Sequence, residues 1–343
     1  MVKFGAVVGN PPYQEDDGGA QKSARPIYHY FVKISKTITT QFSTLIIPAR
    51  WFAGGKGLDE FRDEMLNDEN IQQLDDFLHP EEVFPETNNR GGVCFFLRNN
   101  LYNNVCNKVK VVTHLNKLKK DVTIRNLKTR DLNIFIRSQK AVDVLNKVIP
   151  NDEIETMDKY ISPRKPFGIE SNVINLDIWN ESDNFVNSVK CLGKGNRIGF
   201  LKRDKVLSHI DWTDSWKVFI PRANNIGTEL NDDNLNTIIG EPNSCCTEAY
   251  LFIGIDLNLD NNSALNLSKY FKTKFTRFMH GIAKASHDAS RTTYRFVPRQ
   301  DFTNNSDINW CLPISEIDKQ LYKKYNLNND EIAYIESMIK PME

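Results

Sequence analysis

The sequence has no pair of cysteines at metal-binding spacing. Its six cysteines are Cys94, Cys106, Cys191, Cys245, Cys246 and Cys311; none forms a C-x-x-C pair, and two are adjacent. That pattern argues against a zinc site and a disulfide framework, and for a reducing cytosol. The six histidines are scattered, so no metal is expected. No stretch approaches the roughly 18 consecutive apolar residues of a membrane span. The N-terminus lacks a basic region followed by a long apolar core, so no secretory signal is expected, and the expected location is cytoplasmic. Internal repeats and low-complexity tracts are absent as well. An apolar fraction of 40% and a charged fraction of 26% are those of a soluble globular protein, and 343 residues suffice for two domains.

Against these absences stands one informative tetrapeptide, Asn10-Pro11-Pro12-Tyr13, directly after the apolar run Phe4-Gly5-Ala6-Val7-Val8-Gly9. The run predicts a strand ending in a stiff polar loop. Two consecutive prolines fix φ, and the residue before each proline is pushed toward extended geometry. An Asn side-chain carbonyl and the main-chain carbonyl of the next residue can both accept hydrogen bonds from one exocyclic amine. Such acceptors favour a pyramidal nitrogen whose lone pair is free to attack a methyl group. A tyrosine just after can stack on the attached ring, which is worth about 1–3 kcal/mol per base. The plain alternative is a proline-bearing turn at a strand end.

Zero net charge hides an asymmetry. Residues 58–86 carry eleven acids against Arg62, whereas residues 263–299 carry eight cations against Asp288. The basic block is interleaved with Tyr270, Phe271, Phe275, Phe278, Tyr294 and Phe296, a composition that suits a phosphate backbone and exposed bases. Phe271, Phe275 and Phe278 recur at helical spacing and are expected to be core. The basic face, with Arg222, Lys272, Lys274, Arg277, Lys284 and Arg291, is the candidate DNA contact.

Periodicity predicts strands over 3–9, 42–48, 71–77, 92–98 and 108–114, and helices over 25–39, 58–67 and 139–148. Strands alternating with helices imply an α/β layer with parallel pairing, closed by a hairpin. Residues 116–137 are mixed and basic. Short apolar runs at 172–178, 186–192, 197–202, 216–221, 235–240 and 249–255 then imply a β-rich second domain, with a basic helix at about 266–282. Asn328 and Glu331 stand at capping-box spacing before a terminal helix. The expected division is 1–115, a connecting segment 116–160, a domain 161–310 and a helical tail 311–343.

The first 97 residues resemble the adenine-N6 DNA methyltransferases, specifically the methylase parts of fused, type IIG-like restriction–modification enzymes. The pieces that carry the resemblance come in order. They are Asn10 to Tyr13; Pro26-Ile27-Tyr28-His29-Tyr30-Phe31; Leu45-Ile46-Ile47-Pro48-Ala49-Arg50-Trp51-Phe52; the turn and acidic helix at 57–66; and Val83-Phe84-Pro85 followed by Gly91-Gly92-Val93-Cys94-Phe95-Phe96-Leu97. The second half is similar to the target-recognition regions attached to such methylases, through Trp216 to Arg222, Thr247 to Leu251, Tyr270 to Arg277 and Val297 to Phe302. The resemblance implies a Rossmann-like methyltransferase sheet, a recognition domain and S-adenosylmethionine as methyl donor. It also implies double-stranded DNA as substrate, with the target base flipped out of the duplex. Asn10 and the Pro11 carbonyl would hold the amine, Pro12 would stiffen the loop, and Tyr13 and Phe84 would sandwich the ring. The family's glycine-rich cofactor loop lies upstream of the Asn-Pro-Pro-Tyr motif, and only about nine residues precede Asn10 here. The expectation is a catalytic half that needs a polypeptide carrying the cofactor-binding strands and is inactive alone. A restriction subunit is a further expected partner, since no P-D-x-D/E-x-K nuclease signature is present.

Two other readings stay open from sequence. Protein glutamine methyltransferases use the same tetrapeptide on an amide, but the roughly 190 further residues with a basic, recognition-like character favour DNA. A non-catalytic DNA-binding specificity subunit or remnant would keep sequence-specific binding without binding S-adenosylmethionine.

Overall fold

The computed structural model describes all residues except 1, 16–23, 56, 86–90, 103–107, 152, 225–235, 285–287 and 343, and the side chains of 116 and 119. The chain divides into two compact units, Met1–Val142 and Asp143–Glu343.

Unit 1 is built on a six-stranded sheet. Its elements are β1 (Phe4–Gly9), α1 (Tyr28–Ile38), β2 (Thr39–Pro48), α2 (Asp59–Leu66), β3 (Ile71–Phe77), β4 (Val93–Asn99), β5 (Val109–Asn116) and β6 (Lys119–Arg125). The spatial order is β1-β2-β4-β3-β5-β6. The expected parallel pairing holds for part of the sheet. Only β1 with β2 and β3 with β5 run parallel, while β4 runs antiparallel between β2 and β3, and the closing hairpin is β5–β6. Strand β6 falls in the stretch that sequence left unassigned. Its apolar positions Val122 and Ile124 are exposed, so no buried face marks it in the pattern.

Helix α1 packs on the sheet through Tyr28, Val32 and Ser35, spaced four and three residues apart on one helical stripe. Asp59 and Glu60 occupy the first turn of α2, where negative charge suits the helix dipole. The acidic run is largely answered within the unit: Lys33 pairs with Glu64 at 2.9 Å, Lys36 and Arg98 pair with Asp68 at 2.7 and 2.9 Å, and His114 pairs with Asp75 at 2.9 Å. Glu86 lies outside the described residues. The core gathers Tyr28, Ile47, Trp51, Phe61, Leu74, Cys94, Phe96 and Phe135.

The unit boundary falls inside α3 (Gln139–Val148). Unit 2 contains two small sheets. Strands β7 (Ser188–Gly193), β8 (Arg197–Lys202) and β11 (Ser244–Cys246) form one, and β9 (Lys217–Pro221), β10 (Ile238–Gly240) and β12 (Tyr250–Ile253) the other. The apolar run at 172–178 is not a strand; its first part, Ser171–Asn175, is a 3-10 turn. The predicted basic helix is two helices, α4 (Asn261–Lys272) and α5 (Lys274–Ile282), parted by Thr273 in extended geometry. Helices α6 (Ile314–Lys324) and α7 (Asn329–Met338) follow, and Asn328 and Glu331 form the expected capping box.

Candidate active site and basic surface

Parallel pairing of β1 and β2 sets Gly9 opposite Leu45, so both strands deliver their carboxyl ends to one end of the sheet. Pro48 pairs with Val93 at the start of β4, and Val93 pairs with Phe77 at the end of β3. The same sheet end therefore collects the Asn10 loop, the 3-10 turn Ala49–Phe52, the Gly91–Gly92 turn and the connection that carries Phe84. In open α/β sheets this is where ligands bind.

Within the loop, Asn10 is exposed, Pro11 is buried, Pro12 is exposed and Tyr13 is half-buried. Asn10 makes no hydrogen bond to a described residue, which leaves its carboxamide available. The loop is tied back at its far side. The Ile27 amide donates to the Tyr13 carbonyl at 3.1 Å, the Glu15 amide donates to the Arg25 carbonyl at 3.0 Å, and Gln14 bridges Pro26. The strand thus fixes one end of the tetrapeptide and the entry to α1 fixes the other. The Tyr13 hydroxyl is buried without a partner. Burial, with the Cys94 thiol adding a smaller effect, pushes its pKa up to about 12, so the phenol stays neutral.

Behind the loop the Trp51 indole N–H donates to Cys94 Sγ at 3.4 Å. Gly92 adopts φ +88, and a Cβ there would stand 2.3 Å from the Phe77 carbonyl oxygen, so only glycine lets β3 and the turn approach so closely. Its own carbonyl accepts from the Ala49 amide at 3.0 Å. Arg137 clamps the same corner by donating to both Asp76 oxygens, at 2.9 and 3.2 Å, and to the Gly91 carbonyl. Phe84 is half-buried, its amide held by the Pro80 carbonyl at 2.8 Å. It leaves β3 three strand positions from β1, about 14 Å by ordinary strand spacing. Asn10, Tyr13 and Phe84 therefore share one end of one sheet.

Sequence reasoning quoted Tyr28 and Arg50 only as motif members. Each carries a buried polar atom without a hydrogen-bond partner, the Tyr28 hydroxyl and Arg50 Nε. Nothing in residue type or spacing distinguishes an unpaired arginine from a paired one.

In unit 2 the six expected surface cations divide. Arg277 is fully buried and donates to the Lys272, Thr273 and Lys340 carbonyls. Lys284 is 6% exposed and donates to the Asn224 carbonyl and to Asn224 Oδ1. These two stand inside the unit and do not belong to a surface that meets phosphates. Lys274 pairs with Glu336 and, with Lys272, lines an open cavity of about 690 Å³. Arg222 lies 3.9 Å from Asp288 and lines a cavity of about 460 Å³ together with Lys194. Exposed Arg291 donates to the Asp158 and Lys159 carbonyls at 2.8 Å. Phe271, Phe275 and Phe278 are core, as their spacing predicts, and so are Tyr270, Tyr294 and Phe296. Among the described residues no cluster of His, Cys, Asp and Glu could hold a metal, and no helix is long and apolar enough to cross a membrane.

The described residues of unit 1 lack a built cradle for a methyl donor. Among the described residues no glycine-rich turn follows a strand and opens a helix, the arrangement that would cradle such a cofactor; the turn after β1 is the Asn-Pro-Pro-Tyr loop itself.

Residues 1–84 match the family model of the Eco57I restriction-modification methylase. An uncharacterized adenine-specific methylase of Mycoplasma pneumoniae (strain ATCC 29342 / M129 / Subtype 1) is 28% identical over 159 residues, which are 43% of this chain and 37% of that protein. The aligned part is thus well under half of that relative. Among solved structures, the type IIL restriction-modification enzyme MmeI in complex with DNA is similar at 10% identity. It covers 97% of this chain and 56% of that one, with a TM-score of 0.49. The type IIG restriction endonuclease BpuSI is similar at 11% identity over 92% of this chain and 48% of that one, with a TM-score of 0.36. Residues 1–84 are thus similar to the Eco57I restriction-modification methylases.

Proposed function

We propose that this chain supplies the amine-holding loop and the target-recognition part of an adenine-N6 DNA methyltransferase in a restriction–modification system. The observation that carries the reading is Asn10, whose carboxamide is exposed and unpartnered on a strand-anchored, proline-stiffened loop at the open end of a sheet. The substrate is a duplex from which the target adenine is flipped, because N6 cannot reach a loop of this kind from within the stack. Asn10 Oδ1 and the Pro11 carbonyl accept from the two N6 hydrogens, which frees the nitrogen lone pair. Pro12 keeps the two acceptors from rotating away. Tyr13 and Phe84 hold the ring. The methyl donor implied by the family is S-adenosylmethionine.

We assign the donor's cradle to strands that pair with β1. Among the described residues, that strand has a neighbour on one side only, and Phe4 and Val8 are 49% and 77% exposed. An apolar edge strand of this kind is a template for another strand. Unit 2 serves recognition, with Arg222, Lys272, Lys274 and Arg291 as contacts to the phosphate backbone, and the DNA substrate places the reaction in the cytoplasm.

The test is Asn10→Ala in the complex reconstituted with its cofactor-binding partner. Removing one of two preorganised hydrogen-bonding groups is expected to raise the barrier by about 2.7–4 kcal/mol, a loss of roughly 100- to 1,000-fold in single-turnover methylation. DNA affinity should be unchanged. Methylation at the wild-type rate by Asn10→Ala would overturn the assignment. Sequence-specific binding with no methylation by the wild-type complex would make the chain a recognition module only.

A further inference from the structure

Arg50 differs from the other packed arginines of unit 1. Arg62 donates to the Gly54 and Asn133 carbonyls, Arg98 to Asp68, Arg125 to the Ile136 and Arg137 carbonyls, and Arg137 to Asp76. Arg50 Nε is buried and makes no hydrogen bond, and Arg50 forms no ion pair among the described residues. Its backbone is not free to move away. Ala49 donates to Gly92, the Gly54 amide donates to the Arg50 carbonyl at 3.0 Å, and Ala49, Trp51 and Phe52 are all buried. A second orphan lies beside it. Tyr28 is 1% exposed, and its hydroxyl faces the Trp51 amide without reaching hydrogen-bond geometry. The Arg50 charge is among those that act on this hydroxyl.

A buried donor on a cation is costly to leave unmade, more so than a neutral one. Both orphans sit at the carboxyl end of β2, the strand next to β1 and its Asn10 loop. The arginine fork matches the oxygens of a phosphate or carboxylate in a two-bond arrangement.

We infer that Arg50 is an oxyanion-binding residue of the amine site, taking a phosphate of the nucleotide whose base enters the Asn10 loop. The inference rests on the function proposed above and adds a contact to it. An adenine held by its amine carries its deoxyribose and phosphates toward the mouth of the sheet end. There Arg50 supplies the charge. The amino-acid carboxylate of the methyl donor presents the same oxyanion chemistry, and the test separates the two sources.

The experiment titrates the purified full chain with 2′-deoxyadenosine, its 5′- and 3′-monophosphates and S-adenosylmethionine, followed by nuclear magnetic resonance. The wild-type chain should bind one of the monophosphates about tenfold more tightly than the nucleoside, the size of a charge-assisted contact. Arg50→Gln should abolish that preference without changing nucleoside affinity, and Arg50→Lys should keep part of it. Asn10→Ala should weaken nucleoside and monophosphate by the same factor. A phosphate preference that survives Arg50→Gln overturns the inference and leaves the function standing. S-adenosylmethionine binding by the wild-type chain, against expectation, that Arg50→Gln abolishes with nucleotide preference intact would overturn the inference and move the oxyanion to the donor's carboxylate. If the wild-type chain binds neither nucleoside nor nucleotide, the proposed function and this inference fall together.

Discussion

Lys284 donates to the Asn224 carbonyl and to Asn224 Oδ1 from the interior of unit 2. Burial pulls its pKa down to about 7, and Asp288 only partly opposes that. The unfolded chain holds this proton up to about pH 10.4. Between those two values the unfolded state binds more protons than the folded one, so stability rises with pH across the window. The penalty on the charged form is fully felt below about pH 7 and gone above about pH 10.4. We expect the wild-type chain to gain stability from pH 7.5 to 9 relative to Lys284→Met, at up to about 1.4 kcal/mol per pH unit. Urea midpoints of both proteins across that range are the check; parallel pH profiles would show that Lys284 keeps its ordinary pKa. The same residue shows where reading a site from composition fails. A lysine in a basic block counts as surface charge until a fold turns it inward. Asn10 is the opposite case, because two prolines and a preceding strand dictate its presentation locally.

Among elements, the break between α4 and α5 is the instructive one. The two helices share one basic, aromatic stretch that periodicity reads as continuous. The chain stops at Thr273, whose hydroxyl accepts from the Thr276 amide at 3.1 Å and caps α5. Asp318 of α6 completes the cap from a distant part of the sequence, with its two oxygens accepting from the Lys274 and Phe275 amides at 3.1 and 2.9 Å. Those amides are otherwise orphans of a helix start. Asp318→Ala should destabilise unit 2 by about 1–3 kcal/mol, the cost of leaving buried donors unmade. Thermal unfolding that matches wild type would show that water replaces the carboxylate. Helix α3 was legible to the residue, because an amphipathic helix carries its own period; β3 has the expected bounds although its apolar residues, Ile71, Leu74 and Phe77, do not alternate as in a half-buried strand. The β5–β6 hairpin was half legible, since β6 buries almost no apolar side chain of its own.

For the whole molecule, the exposed apolar surface of unit 1 is the property with the largest consequence. Besides Val8 and Phe4 on β1, Tyr30, Phe31 and Ile34 of α1 are 57, 38 and 53% exposed. An unpaired edge and an apolar face together favour association. The isolated chain should self-associate with rising concentration in sedimentation velocity. Val8→Lys should weaken that association about tenfold or more, as expected for removing one apolar contact worth about 1.5–3 kcal/mol. The isolated chain should also show no S-adenosylmethionine binding by calorimetry. A monodisperse monomer that binds the cofactor one-to-one would defeat both expectations and the assignment of the cradle to strands that pair with β1.

The sequence by itself determined the stiff loop at the end of β1, the alternation of strands and helices in the first unit, the helical tail and its capping box. Each is encoded over a few consecutive residues by φ restriction, hydrophobic period or side-chain reach to the nearest amides. Only the tertiary structure decided that β4 inserts antiparallel between β2 and β3, because register and direction are settled by which faces meet in the core. It alone decided that Arg277 and Lys284 are internal struts and that the Arg50 side chain lacks a hydrogen-bond partner among the described residues, since a cation's burial and its hydrogen-bond acceptors come from segments far away in the chain.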